Sequence, residues 1–133
     1  MNTLPTAVLA WSLIALLPAG ASASLAAYKV TNAIVGEAAA SPYPVKLAVA
    51  HAIQNRGTLR GVYGLDAAHN RREPARVWAE ARRAWAAVPS TPDTTHGATH
   101  FGTQSDVATG IYSGMKLTAV IGSGKHATYF FKP

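Results

Sequence analysis

The sequence of 133 residues contains no cysteine. This absence excludes disulfide scaffolds, iron–sulfur clusters, zinc sites with thiolate ligands and cysteine nucleophiles. Acidic side chains are also scarce: 6 Asp and Glu stand against 12 Lys and Arg, which gives a formal net charge of +6 with histidine neutral. Any catalysis must therefore rely on carboxylates, histidines or hydroxyls, and the positive charge favours an anionic partner.

The start of the chain carries no charged side chain before Lys29. Residues 6–17 form an apolar run of the length found in signal peptides, and residues 21–23 form a small-x-small cleavage pattern. We therefore predict a signal peptide over residues 1–23 and export to the periplasm, the cell wall or the extracellular space. The alternatives are an uncleaved membrane anchor, since residues 4–27 are long enough to span a bilayer, and a buried helix. Contact with the membrane is expected only transiently, through this segment.

Residues 24–133 are predicted to form one packed domain, because 49% of the chain is apolar and only 14% is charged. Helical periodicity predicts three helices, at residues 25–39, 44–56 and 74–88. Pro44 suits the first turn of the second helix, and Gly57 ends it.

The segments between the second and third helices and after the third helix lack helical periodicity. Residues 57–73 and 89–102 are rich in Gly, Pro and polar side chains, so we predict loops there. Apolar and polar side chains alternate over residues 116–121, and a Gly-rich turn follows at residues 122–125, which predicts a C-terminal β-hairpin. The expected fold class is mainly α (α+β), with a small β-hairpin at the C-terminus.

Three motifs follow one another along the chain. Residues 34–38 (IVGEA) precede residues 46–56 (KLAVAHAIQNR), residues 93–101 read DTTHGATHF, and the end of the chain combines IG at 121–122, His126 and YF at 129–130. Together they resemble the SleB-type cell wall hydrolases, a family named for spore cortex-lytic enzymes. That family has a Glu-Ala pair before an AVAxVIxNR helix, a DPTxGAxxF stretch and an IGxHxFY ending.

This resemblance implies a helical, lysozyme-like fold and cleavage of the MurNAc–GlcNAc bond of peptidoglycan by a lytic transglycosylase or muramidase. It also implies that Glu37 is the catalytic acid and base, with no cofactor and no metal. The expected partner is the peptidoglycan glycan strand. Nucleic acid is not expected, because the basic residues form no long cluster. We expect five further residues to bind substrate: Asn55, Tyr63, Asp93, Thr99 and His100.

Elementary chemistry supports a catalytic role for Glu37. Glycoside cleavage needs a carboxylic acid that is still protonated near neutral pH. Glu37 is predicted in the last turn of the first helix, where the helix dipole raises the pKa of a carboxyl. In a lytic transglycosylase the muramoyl 6-hydroxyl is the nucleophile, so one carboxylate suffices. The small number of carboxylates favours this route; the candidates for a second one are Asp66, Glu73, Glu80, Asp93 and Asp106.

Two other functions stay open. His96 and His100 lie four residues apart with Asp93 close by, and His51 and His126 occur elsewhere, so a zinc-dependent peptidase or amidase is an alternative. Against it, the sequence has no HExxH motif, and both histidines of the pair lie in a predicted loop. The other alternative is a non-catalytic module that binds the cell wall.

Overall fold

The computed structural model describes residues 25–133. The predicted signal peptide and its cleavage site therefore lie outside the described residues. Within the described range, no helix combines the length and apolar character that a membrane span requires.

Three helices form the body of the domain: α1 (Ala27–Ala38), α2 (Tyr43–Arg56) and α3 (Ala75–Ala87). All three predicted helices are confirmed within three residues at each end. Pro44 lies in the first turn of α2, and Gly57 adopts a left-handed conformation that directs its N–H to the Ile53 carbonyl at 3.0 Å.

Small apolar side chains let these helices approach closely. The core is made almost entirely of Ala, Val and Ile from α1, α2 and α3, and Phe130 from the sheet closes it. Trp78 and Trp85, which share a face of α3, are half-buried and pack against this core. The mainly α (α+β) class predicted from the sequence is thus confirmed.

One charged side chain lies inside this packing. Lys46 of α2 is only 1% exposed, and its Nζ lies 3.0 Å from Glu80 Oε2 of α3. The hydrogen bond from Lys46 lowers the pKa of Glu80, and the charges of Lys46 and Arg76 act in the same direction. Because an uncompensated buried cation is costly, this ion pair fixes how α3 lies on α2.

The C-terminal hairpin is confirmed, with β2 at Lys116–Ile121 and β3 at Thr128–Lys132. A third strand, β1 (His100–Gly102), completes an antiparallel sheet of order β1-β3-β2. Strand β1 lies within residues 89–102, where a loop was predicted, so that prediction is wrong for these three residues. A register shift between Leu117 and Ala119 interrupts the alternation of β2, and Leu117 is consequently exposed.

Short helical segments occupy the connections. Helix α4 (Gln104–Ala108) follows β1 and begins with a capping box between Thr103 and Asp106. Single 3₁₀ turns lie at Tyr63–Asp66, Ala68–Arg72, Val88–Ser90 and Gly124–His126. The predicted loop between α2 and α3 therefore contains two ordered turns, and the first of them packs closely on α1.

Candidate active site

Glu37 lies in the last turn of α1, against the 3₁₀ turn Tyr63–Asp66. The backbone N–H of Gly64 in that turn donates a hydrogen bond to Glu37 Oε1 at 2.7 Å. Two glycines permit this contact. A Cβ added to Gly36 would lie 1.8 Å from the Gly64 carbonyl oxygen, and one added to Gly64 would lie 2.6 Å from Glu37 Cγ. The carboxylate is therefore positioned by a close backbone approach that only glycine allows.

A buried asparagine holds the turn in place. Asn70 Nδ2 donates to the Gly64 carbonyl at 2.9 Å and to the Asn32 carbonyl of α1 at 3.1 Å. These bonds join the turn to α1 one helical turn before Glu37. The oxygen of the same amide, Asn70 Oδ1, is buried and has no hydrogen-bond partner among the described residues.

His69 supports the end of α1 from the other side. Its Nε2 lies 3.2 Å from the Gly36 carbonyl oxygen, and its Nδ1 lies 3.1 Å from Glu73 Oε1. Both partners are acceptors, and the tautomer decides which ring nitrogen donates. His69 thus links the residue before Glu37 to the segment that leads into α3.

Glu37 opens into a surface cleft of about 420 Å³. Aromatic side chains form much of its wall, and Tyr63 is 88% exposed at its edge. Exposed aromatic faces of this kind stack on sugar rings. The residues lining the cleft are Glu37, Arg56, Gly61, Val62, Tyr63, His100, Phe101, Asp106, Ile111 and Tyr112.

The pKa of the Glu37 carboxyl is raised above its ordinary value. The main cause is loss of hydration against the cleft walls, although the side chain remains open to solvent on one side. The Gly64 hydrogen bond opposes this rise, the charge of Asp106 adds to it, and His69 opposes it weakly. The raised direction agrees with the prediction from the sequence, and partial burial of the carboxyl is its main cause.

Asp106 is the other carboxylate that lines this cleft. Its Oδ2 accepts hydrogen bonds from the Thr103 backbone N–H at 2.8 Å and from the Thr103 hydroxyl at 3.0 Å. Asp106 therefore caps α4 through its Oδ2.

Two of the five predicted substrate-binding residues, Tyr63 and His100, line the cleft. The Thr99 hydroxyl lies 2.9 Å from His100 Nδ1 and so orients the ring. Burial lowers the pKa of His100, and the nearby charge of Arg56 lowers it further. The imidazole is consequently neutral at pH 7 and can donate or accept a hydrogen bond.

Asn55 and Asp93 are not among the residues that line the cleft. Asn55 Nδ2 donates to Asp93 Oδ2 at 2.8 Å and to the Ala98 carbonyl at 3.0 Å. Asp93 also accepts hydrogen bonds from the backbone N–H groups of Thr95 at 2.8 Å and Gly97 at 3.0 Å. The two residues thus order the loop that leads into β1 and His100.

Replacing Asp93 with Asn should destabilise the fold by about 1.5 to 3 kcal/mol, because a charged acceptor of several hydrogen bonds is lost. Burial raises the pKa of Asp93, but hydrogen bonds from Thr95, Asn55 and Gly97 outweigh it and lower the pKa overall. The stability that Asp93 contributes is therefore present above its ordinary pKa and lost as pH falls through its folded pKa. Urea unfolding at several pH values measures this difference.

The exposed carboxylate of Asp66 provides a matched control, since it forms no hydrogen bond or salt bridge within residues 25–133. Asp66→Asn should leave the unfolding free energy within about 0.5 kcal/mol of the parent. Equal stability of the Asp93 and Asp66 variants at pH 7 would show that Asp93 does not order the loop.

The sequence analysis missed Tyr112 as a cleft residue. Its ring stacks on Phe131 with centroids 4.5 Å apart, and its hydroxyl donates to the Phe101 carbonyl. A Cβ on Gly102 would lie 2.5 Å from the Tyr112 hydroxyl oxygen, so this glycine lets the ring cross β1. Tyr112 lies in a segment without helical or strand periodicity, and nothing in the local pattern indicates its position.

The histidines that suggested a zinc site are dispersed. No group of three or more His, Asp or Glu side chains within residues 25–133 is arranged to hold a metal ion. His96 is exposed. The His51 ring forms a hydrogen bond with the Thr91 hydroxyl at 2.9 Å. His100 lies in the cleft with Glu37 instead.

Comparisons of the chain with models of known protein families, with curated proteins and with solved structures found no match.

Proposed function

We propose that this protein is an exported enzyme that cleaves the glycan strands of peptidoglycan, with Glu37 as its catalytic acid and base. The observation that carries the proposal is the position of Glu37, which lines an aromatic-walled cleft whose walls raise the pKa of its carboxyl although the residue as a whole is exposed. A protonated carboxylic acid next to sugar-stacking surfaces is the arrangement that glycoside cleavage needs. The resemblance to SleB-type cell wall hydrolases selects peptidoglycan among the polysaccharides and suggests a lysozyme-like fold.

In the proposed reaction, the Glu37 carboxyl donates its proton to the glycosidic oxygen between MurNAc and GlcNAc. The bond to the muramoyl anomeric carbon then breaks, and positive charge develops on that sugar as the GlcNAc hydroxyl leaves. The Glu37 carboxylate next takes the proton of the muramoyl 6-hydroxyl, whose oxygen bonds to the anomeric carbon. The product is a 1,6-anhydromuramoyl end, and Glu37 is again protonated.

The hydrogen bonding of Asp106 supports this one-carboxylate route. An inverting hydrolase needs a base that activates water, and a retaining hydrolase needs a carboxylate nucleophile. Asp106 is the only other carboxylate lining this cleft among the described residues, and its Oδ2 accepts two hydrogen bonds from Thr103 that cap α4. The intramolecular hydroxyl makes a second carboxylate unnecessary.

The cleft also favours an enzyme over a wall-binding module. A site that only binds sugar would use an ionised carboxylate as a hydrogen-bond acceptor, whereas the raised pKa of Glu37 favours the protonated form that can donate a proton. Four features keep Glu37 there: Gly36, Gly64, Asn70 and His69. Such support suits a group that must transfer a proton at a fixed position.

Digestion of purified peptidoglycan tests the proposal against the zinc alternative. We expect soluble fragments to be released at the same rate with and without EDTA, because the proposed reaction uses no metal. Loss of release on chelation, with recovery on addition of zinc, would favour the peptidase or amidase. Binding to the walls without any release would favour the non-catalytic module.

A further inference from the structure

Glu37 borders two clefts rather than one. The second has a volume of about 280 Å³ and is lined on one side by residues 36–41, and on the other by Lys125 and His126. We call the first cleft the aromatic arm and the second the basic arm. Because Glu37 lines both arms, a substrate whose scissile bond lies at Glu37 in the aromatic arm has the basic arm directly beside it.

The two arms differ in chemistry. The aromatic arm carries Tyr63, Phe101 and Tyr112, whose uncharged faces suit neutral sugar rings. The basic arm is lined by no Phe, Tyr or Trp side chain, and apart from Glu37 its residues 36–41 are Gly, Ala and Ser. It is therefore suited to a bulky substituent rather than to stacking of a sugar.

The cation available in the basic arm is Lys125. Its side chain is exposed, and it forms no salt bridge within residues 25–133. The other carboxylate of this arm, Glu73, is already 3.1 Å from His69 Nδ1. Lys125 thus has no anionic partner within the described part of the chain, and its ammonium can bind a carboxylate of the substrate.

Two features restrict the backbone of the turn that carries Lys125. Gly122 has a φ of 86°, and a Cβ there would lie 2.8 Å from the His126 carbonyl oxygen. The 3₁₀ turn Gly124–His126 follows, with the His126 N–H donating to the Ser123 carbonyl at 3.1 Å. Lys125 is therefore presented from an ordered turn, directly beside the cleft.

We propose that the basic arm binds the stem peptide of the muramoyl residue, with Lys125 contacting a peptide carboxylate and His126 lying beside it. This inference rests on the proposed function. The sugar rings of peptidoglycan are uncharged, whereas the peptide attached to the lactyl group of MurNAc carries free carboxylates. The enzyme would then prefer strands that carry stem peptides to strands from which an amidase has removed them.

The test compares the two kinds of strand, both purified free of phosphate-bearing wall polymers. With the full chain, kcat/KM for peptide-bearing strands should exceed that for bare strands by about twofold to fivefold, the worth of one exposed ion pair. Lys125→Gln should remove most of this preference by lowering kcat/KM on peptide-bearing strands alone. Rates on bare strands should stay unchanged.

Lys116→Gln is the matched control, because Lys116 is an exposed lysine of the same hairpin that lines neither arm. The Lys116→Gln variant should keep the full preference of the parent for peptide-bearing strands over bare strands. Equal kcat/KM of the parent on both strands, or an equal loss on both in Lys125→Gln, would overturn the inference while leaving glycan cleavage intact. Failure of the parent to cleave either strand would instead overturn the proposed function, and the inference with it.

Discussion

Replacing Glu37 with Gln should lower the rate of peptidoglycan cleavage by at least about 100-fold, the typical loss when general acid catalysis is removed. Glutamine keeps the shape of the side chain and can still accept the hydrogen bond that Gly64 donates to Glu37 in the parent. It cannot donate a proton to the glycosidic oxygen. Release of soluble fragments from purified walls measures the loss.

The same variant tests the raised pKa of Glu37 through stability. A carboxyl whose folded pKa is raised contributes most stability below its ordinary pKa, and that contribution is lost as pH rises through the folded pKa. Tm of Glu37→Gln relative to the parent should therefore increase between pH 4 and pH 7. Retained cleavage in this variant would remove Glu37 from the mechanism, and a pH-independent difference in Tm would contradict the raised pKa.

Replacing Gly36 with Ala should also cause a large loss, although the new methyl group carries no charge. Its Cβ would lie 1.8 Å from the Gly64 carbonyl oxygen, so α1 and the turn must separate. Overpacking of this kind costs about 1 to 3 kcal/mol. We expect a drop in unfolding free energy of that size and at least about a tenfold loss of activity, because the Gly64 hydrogen bond to Glu37 is displaced.

Gly57→Ala is a control that separates the loss of stability in Gly36→Ala from its loss of activity. Gly57 has a φ of 73°, but an added Cβ there meets no atom within 4 Å. Backbone strain in Gly57→Ala should lower the free energy of unfolding by about 1 to 2 kcal/mol without moving Glu37. Assays at a temperature where both variants are folded should show activity loss in Gly36→Ala alone. Equal activity of the two would mean that the glycine contact does not position Glu37.

Elements of more than ten residues could be predicted because their signals are local. Helix α2 has a proline in its first turn and Gly57 at its end, although its buried residues, with Lys46 and His51 among them, surround the helix rather than form the single apolar face that the sequence predicts. Strand β1 has only three residues, and its pairing with β3 depends on contacts such as Phe101 opposite Phe130, far apart in the chain. Helix α4 is a five-residue element whose capping box was the sole local signal.

The site could be predicted in part for similar reasons. Motif resemblance singled out Glu37, and His100 lies within one of the matched stretches; both line the aromatic arm. Asp93 belongs to the same matched stretch as His100. Its carboxylate accepts hydrogen bonds from the backbone N–H groups of Thr95 and Gly97, so it stabilises the loop rather than lining the cleft. Contacts between distant segments, such as Gly36 with Gly64, depend on backbone distances that no sequence pattern encodes.

Mass spectrometry of the soluble products from purified peptidoglycan tests the central claim most directly. The proposed reaction predicts new muramoyl ends in the 1,6-anhydro form, each one water lighter than the hydrolytic end, with all stem peptides still attached. These products should be lacking when Glu37→Gln is used. Intact glycan strands with cleaved amide or peptide bonds would contradict the account.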